Sequence, residues 1–387
     1  MEEQRKACRQ LLLLVGSNPL PNYLSAIILR PSSIRLFYSP QTASIKDHLV
    51  KRLKKRFGGV DLAQTCIQDA TNAAEVRAAF ASIPEGAHLH YTGGTKIMAA
   101  HARMAFRDAG GTDEQASYLD ERKDVLRFDD GYEMSLSKQD LQLTLDDVLA
   151  LHAIERNSRD PRQTDGPTGE DADSIAREVL KDPSLAGKLY GIHRDENRRR
   201  SIEKAKADAV ILDELIPVVR SVRTIPETHW RRKDYENWLD FLGGGWMEVW
   251  CGALVRQITK KDEVAVGLDC ELANGRHCEI DVALVRGHRL YVISCTTDTK
   301  TGLCKSKLFE VAMRARRLGG DLARSALVCL LSGNDSRGPY VDQLRNDVED
   351  IWDAPNTPRV FGLDDLREWA GIHGTPNTAS LKDWLDS

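Results

Sequence analysis

Through its first 135 residues the chain alternates short apolar runs with amphipathic stretches, a rhythm that admits little besides an α/β layer on a mostly parallel sheet. Apolar runs at residues 11–15, 34–38, 61–67 and 88–91 read as strands, and the stretches 21–29, 45–57, 73–82 and 96–108 read as helices between them. Two last strands, 115–119 and 125–128, flank a charged turn from Asp120 to Asp124. Parallel neighbours need such crossover connections.

Residues 137–243 change texture and read as a helical, charged connector. Within it, 157–173 mixes Pro, Gly, Asp and Arg without a period, which predicts a loop. Arg198, Arg199 and Arg200 open a helix to residue 215 whose basic face reads as solvated. A third region, 244–387, begins in Gly243-Gly244-Gly245 and continues as a helix over 246–258. Strands follow at 264–272, 278–285 and 288–296, the last two forming a hairpin at Arg286-Gly287. A helix over 305–318 ends at the glycine cap Gly319-Gly320, and a strand at 326–331 comes next. Residues 336–387 read as further helices and a strand packed on this core. The expected organisation is a Rossmann-like unit over 1–136, a connector over 137–243 and an α/β catalytic core over 244–387.

With 54 Lys+Arg against 58 Asp+Glu in 387 residues, the formal charge is −4, which excludes global attraction to nucleic acid but not a local basic groove. The longest aliphatic run, 11–15, is far short of the roughly 20 residues that span a bilayer, and no small-residue cleavage site follows it. Eight cysteines without a CxxC pair suggest neither a zinc ribbon nor a disulfide framework, so a cytoplasmic protein without a membrane partner is expected.

Two constellations carry chemistry. In the first, Gly16-Ser17-Asn18-Pro19-Leu20-Pro21-Asn22 follows the first strand and Tyr91-Thr92-Gly93-Gly94-Thr95-Lys96 follows the fourth. Both lie at strand carboxyl ends, where open α/β sheets place ligands, and the second enters a helix whose free N–H groups attract anions. A phosphorylated ligand is favoured, although a plain helix-capping turn has the same spelling. Neither GxxxxGK[ST] nor GxGxxG is present, so a conventional nucleotide cofactor loses support. Residues 8–135 resemble the CRISPR-associated Rossmann-fold sensor domain, CARF. That resemblance implies a cyclic oligoadenylate, usually the four-adenosine ring, bound across a homodimer by Ser17, Asn18, Pro19, Asn22, Thr92, Gly93, Gly94, Thr95 and Lys96.

The second constellation is Glu248, then Cys278-Glu279-Ile280-Asp281, then Ile293-Ser294-Cys295-Thr296. Metal-assisted phosphodiester cleavage needs two or three oxygen ligands on rigid elements, and strand alternation places Glu279 and Asp281 on one face with Glu248 projecting from the packed helix. The order resembles the PD-(D/E)xK restriction-endonuclease-like core, and the whole chain resembles the CRISPR ancillary nucleases, which join sensor and nuclease. The resemblance implies Mg²⁺ or Mn²⁺ held by Glu248, Asp281 and the carbonyl of Cys295, with DNA and additionally RNA as substrate. It also exposes a departure: the acid-x-lysine positions of that family read Ser294, Cys295 and Thr296. Ser294 still offers an oxygen, Glu279 a further carboxylate, and Lys300, before Lys305 or Lys307, the missing cation. An alternative reading is a catalytically impaired sensor that binds or degrades the ring without cutting nucleic acid. His90, His101 and His277 read as local polar contacts, the Cys295 thiol as core, and Trp246 and Trp250 as core packing.

Overall fold

The computed structural model describes residues 8–156, 167–194, 237, 240–260, 262–271, 275, 277–333, 340–352 and 356–387. The helix expected from residue 198 to 215 lies outside these.

The first unit runs β1 (Gln10–Leu14), α1 (Leu20–Leu29), β2 (Ser33–Tyr38), α2 (Ala43–Phe57), β3 (Asp61–Cys66), α3 (Ala73–Ala79), β4 (Ala87–His90), α4 (Lys96–Asp108), β5 (Ala116–Asp120), β6 (Val125–Phe128) and β7 (Glu133–Ser135). Its seven strands lie in the order β3-β2-β1-β4-β5-β6-β7, parallel from β3 to β5 and antiparallel beyond. The chain winds outward from β1 one way and from β4 the other, so the switch point lies between those two strands. The Rossmann-like unit read from the alternation is the one observed.

Helix α1 starts beside Pro19 and Pro21, whose fixed φ suits a first turn, and stops where Arg30 turns left-handed at φ 45°. All ten of its residues are buried, because it lies between two layers rather than on one. Its apolar residues belong to a core shared with the second unit, which includes Leu24 and Ile28 together with Leu268, Ile280, Val292, Val311 and Leu318.

The chain crosses over through α5 (Leu145–Leu151) and β8 (Glu155–Arg156). Asp147 of α5 ties this passage to the first unit by pairing with Arg52 and accepting from Tyr23 Oη at 3.4 Å. The second unit then comprises α6 (Gly169–Lys181), α7 (Ser184–Arg194), α8 (Trp246–Thr259), β9 (Val264–Glu271), β10 (His277–Arg286), β11 (Arg289–Thr296), α9 (Thr301–Gly319), β12 (Arg324–Cys329), α10 (Tyr340–Ile351), β13 (Arg359–Phe361), α11 (Leu363–Ala370) and α12 (Ala379–Asp386). Its sheet has the order β13-β12-β11-β10-β9-β8, parallel across β13, β12 and β11 and antiparallel beyond. One face is covered by α6, α8, α11 and α12, with Trp246 and Trp250 in that core. The other is covered by α9 and α10.

Two sequence expectations need correction. The stretch 157–173 is not loop throughout, since α6 begins at Gly169; Thr168 and Asp171 form a capping box, the start signal that the Pro- and Gly-rich spelling obscured. The helix expected at 305 begins four residues earlier, at Thr301. Segment 137–243 thus supplies α6 and α7 to the second core as well as the crossing.

In the first sheet, His88 Nε2 lies 2.8 Å and His90 Nδ1 3.2 Å from Ser117 Oγ, with both rings buried. Burial pushes both imidazoles down to about 3. The folded form therefore keeps them neutral while the unfolded chain takes up protons below about 6.5. Their contribution is fully present above that pH and is lost as pH falls from there toward 3. By linkage each histidine costs about 2 kcal/mol between pH 6.5 and 5. Thermal melts should show the midpoint falling across that interval, with a shallower slope in the His88→Gln, His90→Gln chain; equal slopes would assign the acid sensitivity elsewhere.

Candidate functional site

The second unit's candidate residues gather where β10 and β11 lose their ladder. The β10–β9 register pairs Ile280 with Leu268 and Val282 with Val266 and skips Asp281 and Gly267, whose φ of +55° suits glycine. Cys278 and Ile280 pack in the same core as Ala283 and Val285, whereas Val282 and Leu284 pack in the opposite one. Strand alternation is therefore broken at Asp281, and the simple two-residue period that placed Glu279 and Asp281 on one face does not hold there. Irregularities of this kind re-aim a side chain at sheet edges and sites.

The β10–β11 ladder ends at Val282–Ile293, and beyond it the Asp281 carboxylate takes over. Its Oδ2 accepts from Cys295 N at 2.6 Å and from Ser294 Oγ at 3.0 Å. Ser294 thus serves Asp281 directly. Thr296 is buried, and its Oγ1 accepts from Asp298 N at 3.2 Å, which shapes the loop leading to α9.

Glu248, Glu279, Cys295, Thr296, Lys300 and Lys307 line one groove of about 1380 Å³. Asp281 and Ser294 line a small cavity beside it, and Glu279 and Lys307 border both. Lys307, ranked behind Lys300 on sequence distance, is thus the lysine shared with the Asp281 cavity, while Lys305 is held by Asp347 at 2.7 Å. Arg314 Nη1 donates to the carbonyl oxygen of Glu279 at 2.7 Å and fixes the start of the kink from α9.

The Cys295 thiol is driven far above its ordinary range by its hydrogen bond with Cys251, by burial, and by the negative charges of Asp281 and Glu248. The thiol therefore stays protonated. Oxygen donors without a competing thiolate suit a hard cation such as Mg²⁺ or Mn²⁺. Among the described residues, no three His, Cys, Asp or Glu side chains converge as a ready-made metal cage.

At the other end, the loops after β1 and β4 touch. A Cβ on Gly93 would overlap the carbonyl oxygen of Leu14, and one on Gly16 would lie 2.8 Å from Gly94 N. Glycine at both positions lets the two strand ends meet, and Gly94 adds a φ of +76°. Ser17 and Lys96 are exposed at the surface of this junction, and Asn18 is half-buried. The remaining candidates are built into its frame. Asn22 is buried and donates to Leu14 O at 2.8 Å, and Pro19 is buried. Thr92 Oγ1 accepts from Leu119 N at 2.6 Å, and Thr95 Oγ1 accepts from Met98 N while donating to Ala70 O, both at 3.1 Å.

The segment carrying the groove decides the kinship. Residues 235–338 match the Card1-like endonuclease domain. The resemblance to the CRISPR ancillary nucleases is borne out by this match, and among curated proteins none matches the chain in sequence. In fold, the chain is similar over its full length to Can2 from Sulfobacillus thermosulfidooxidans, solved in complex with cyclic tetra-adenylate, at TM-score 0.65 and 17% identity, with 99% of that chain covered. Protein VC1899 from Vibrio cholerae aligns over 98% of both chains at TM-score 0.67 and 15% identity. A type III CRISPR defence DNA nuclease activated by cyclic oligoadenylate aligns over 90% of this chain and 52% of its own at TM-score 0.52 and 17% identity.

The unit that holds the matched segment meets the first unit through the β5–β6 turn. Asp124 accepts from His288 Nε2 at 2.6 Å and from Arg289 Nη2 at 3.2 Å, and Glu121 accepts from Asp321 N at 2.9 Å. Burial pushes the Glu121 carboxyl up to about 7 despite that amide. Asn18 of the β1 loop lies directly against Gly320, just past α9. Sequence reading missed this contact because nothing in the local spelling of either segment names a partner some 300 residues away. It also passed over Arg314, whose only local sign was the i,i+4 partner Glu310. No described helix is long and apolar enough to cross a membrane.

Proposed function

We propose that the chain is a metal-dependent endonuclease of type III CRISPR defence, switched on by a cyclic oligoadenylate at the β1–β4 switch point and acting as a homodimer in the cytoplasm. Cyclic tetra-adenylate is the preferred ring, because the full-length fold neighbour Can2 was solved with it. DNA is the preferred substrate, with RNA as a second one, in keeping with the DNA nuclease among the fold neighbours. Sensor, connector and nuclease are assigned to 1–136, 137–243 and 244–387. One observation carries the hydrolytic reading: inside a matched endonuclease segment Glu248, Glu279, Lys300 and Lys307 line one groove, and Glu279 and Lys307 also border the Asp281 cavity.

In this reading Glu248, Asp281 and the Cys295 carbonyl would hold Mg²⁺ or Mn²⁺, which would supply Lewis acidity to the phosphodiester. Ser294 and the Cys295 amide keep Asp281 aimed, Glu279 orients the attacking water, and Lys307 with Lys300 offsets phosphate charge as the bond breaks. Thr296 shapes the loop that presents Lys300.

The second reading, a sensor without cutting activity, is favoured by one fact: Ser294 and Thr296 spend their hydroxyls on internal hydrogen bonds where the nuclease family has an acid and a lysine. A plasmid-nicking assay with Mg²⁺ or Mn²⁺, with and without cyclic tetra-adenylate, separates the two. Nicking that needs both metal and ring supports the first; ring binding with intact plasmid supports the second.

A further inference from the structure

The groove has an aromatic wall that the phosphodiester chemistry does not use. Tyr190 of α7 borders it and is 46% exposed. The His193 ring lies 5.7 Å from it at an interplanar angle of 34°. His193 is itself held: a Cβ on Gly243 would lie 2.6 Å from its ring, and its Nδ1 is 3.5 Å from Asp240. Gly244 then brings the same turn to Thr297, which borders the groove beside Lys300. A supported, exposed aromatic ledge that shares one groove with lysines matches the two things an unpaired nucleotide presents, a π-face and a phosphate.

We propose that Tyr190, backed by His193, is a base-stacking residue that positions the strand to be cut. The inference rests on the nuclease reading. The test uses the full chain in chelator with a single-stranded oligonucleotide carrying 2-aminopurine, whose fluorescence falls on stacking. The parent should quench it and bind; Tyr190→Ala should lose the quench and bind roughly 5- to 100-fold more weakly, and Tyr190→Trp should restore both. With metal and ring added, Tyr190→Ala should raise KM far more than it lowers kcat. Equal quenching by parent and Tyr190→Ala, or none by the parent, overturns the ledge. If the parent still cuts the same oligonucleotide in that case, the nuclease reading stands without it.

A separate observation carries a second inference. Helix α9 is 19 residues long, about 28 Å. Lys300 and Lys307 mark its groove end, and just past its other end Gly320 and Asp321 meet Asn18 and Glu121 of the first unit. Gly320 holds a φ of +65°, and a Cβ there would run into Asn18 and sit 2.9 Å from Glu121. We infer that α9 carries occupancy of the β1 loop to the nuclease groove through this contact. Glu121→Ala and Glu121→Leu should keep the affinity for cyclic tetra-adenylate within about threefold and leave unstimulated cleavage unchanged, but reduce ring-stimulated cleavage at least about tenfold. Hydrogen exchange over 301–319 should respond to the ring in the parent and not in these variants. Undiminished stimulation, or exchange in the parent that ignores a bound ring, overturns the coupling while leaving sensor and nuclease readings intact; a parent that binds no ring overturns the coupling and the sensor reading together.

Discussion

Asp281→Asn should lower metal-dependent cleavage by about 10²- to 10³-fold, the scale on which removal of one preorganised electrostatic group is felt, while binding of cyclic tetra-adenylate stays unchanged. The substitution separates two roles that Asp281→Ala would merge. The Asp281 carboxylate holds the end of β11 by accepting from Cys295 N and Ser294 Oγ, so alanine leaves a part-buried amide and hydroxyl without their acceptor, at about 1–3 kcal/mol. Asparagine keeps an acceptor oxygen at the same place and removes the charge. Asp281→Asn should therefore melt within a degree or two of the parent, and Asp281→Ala several degrees lower, with both equally poor at nicking. An asparagine variant that nicks at the parent's rate would reject Asp281 as a ligand and leave it a structural clasp.

Gly93→Ala should cost at least about 100-fold in affinity for the ring, measured by titration calorimetry. Here the argument is steric. The added methyl would occupy the place of the Leu14 carbonyl oxygen, a backbone atom at the end of a buried central strand that cannot swing aside. The β4 loop must then lift away from the β1 loop, and Ser17, Asn18 and Lys96 no longer bracket the switch point. Cleavage driven by the ring should fall with the affinity and recover at saturating ring, since the groove is untouched. Wild-type affinity in Gly93→Ala would show that the ring binds elsewhere.

Much of the fold was legible because the first unit's alternation has one physical meaning. Each apolar run there became a strand within a residue or two, whereas the glycines at 16, 93 and 94, read as parts of a ligand loop, also let two strand ends meet. The second sheet was legible for the same reason, down to the hairpin at Gly287 with its φ of +62°. His90, His101 and His277 do make local polar contacts, with Ser117, Arg77 and Asp269, and the Cys295 thiol is buried and protonated. Alternation failed at Asp281 because the ladder skips Asp281 together with the facing Gly267, which has a φ of +55° and lies on the neighbouring strand, out of reach of β10's own spelling. Helix α6 was hidden because its capping threonine follows Pro167, and turn spelling and helix-start spelling overlap. The contact of Asn18 with Gly320 was hidden for a different reason: it joins two units through tertiary packing, which no local period encodes.

The central claim is that ring occupancy at the switch point licenses phosphodiester hydrolysis in the groove. The most direct measurement is one titration of the intact chain with cyclic tetra-adenylate, in Mn²⁺ or Mg²⁺, following ring binding and the rate of supercoiled plasmid nicking in the same samples. The account predicts negligible nicking without ring and a rate that rises in step with the bound fraction. A rate indifferent to bound ring, or a fully ring-bound protein that leaves the plasmid supercoiled, would contradict it.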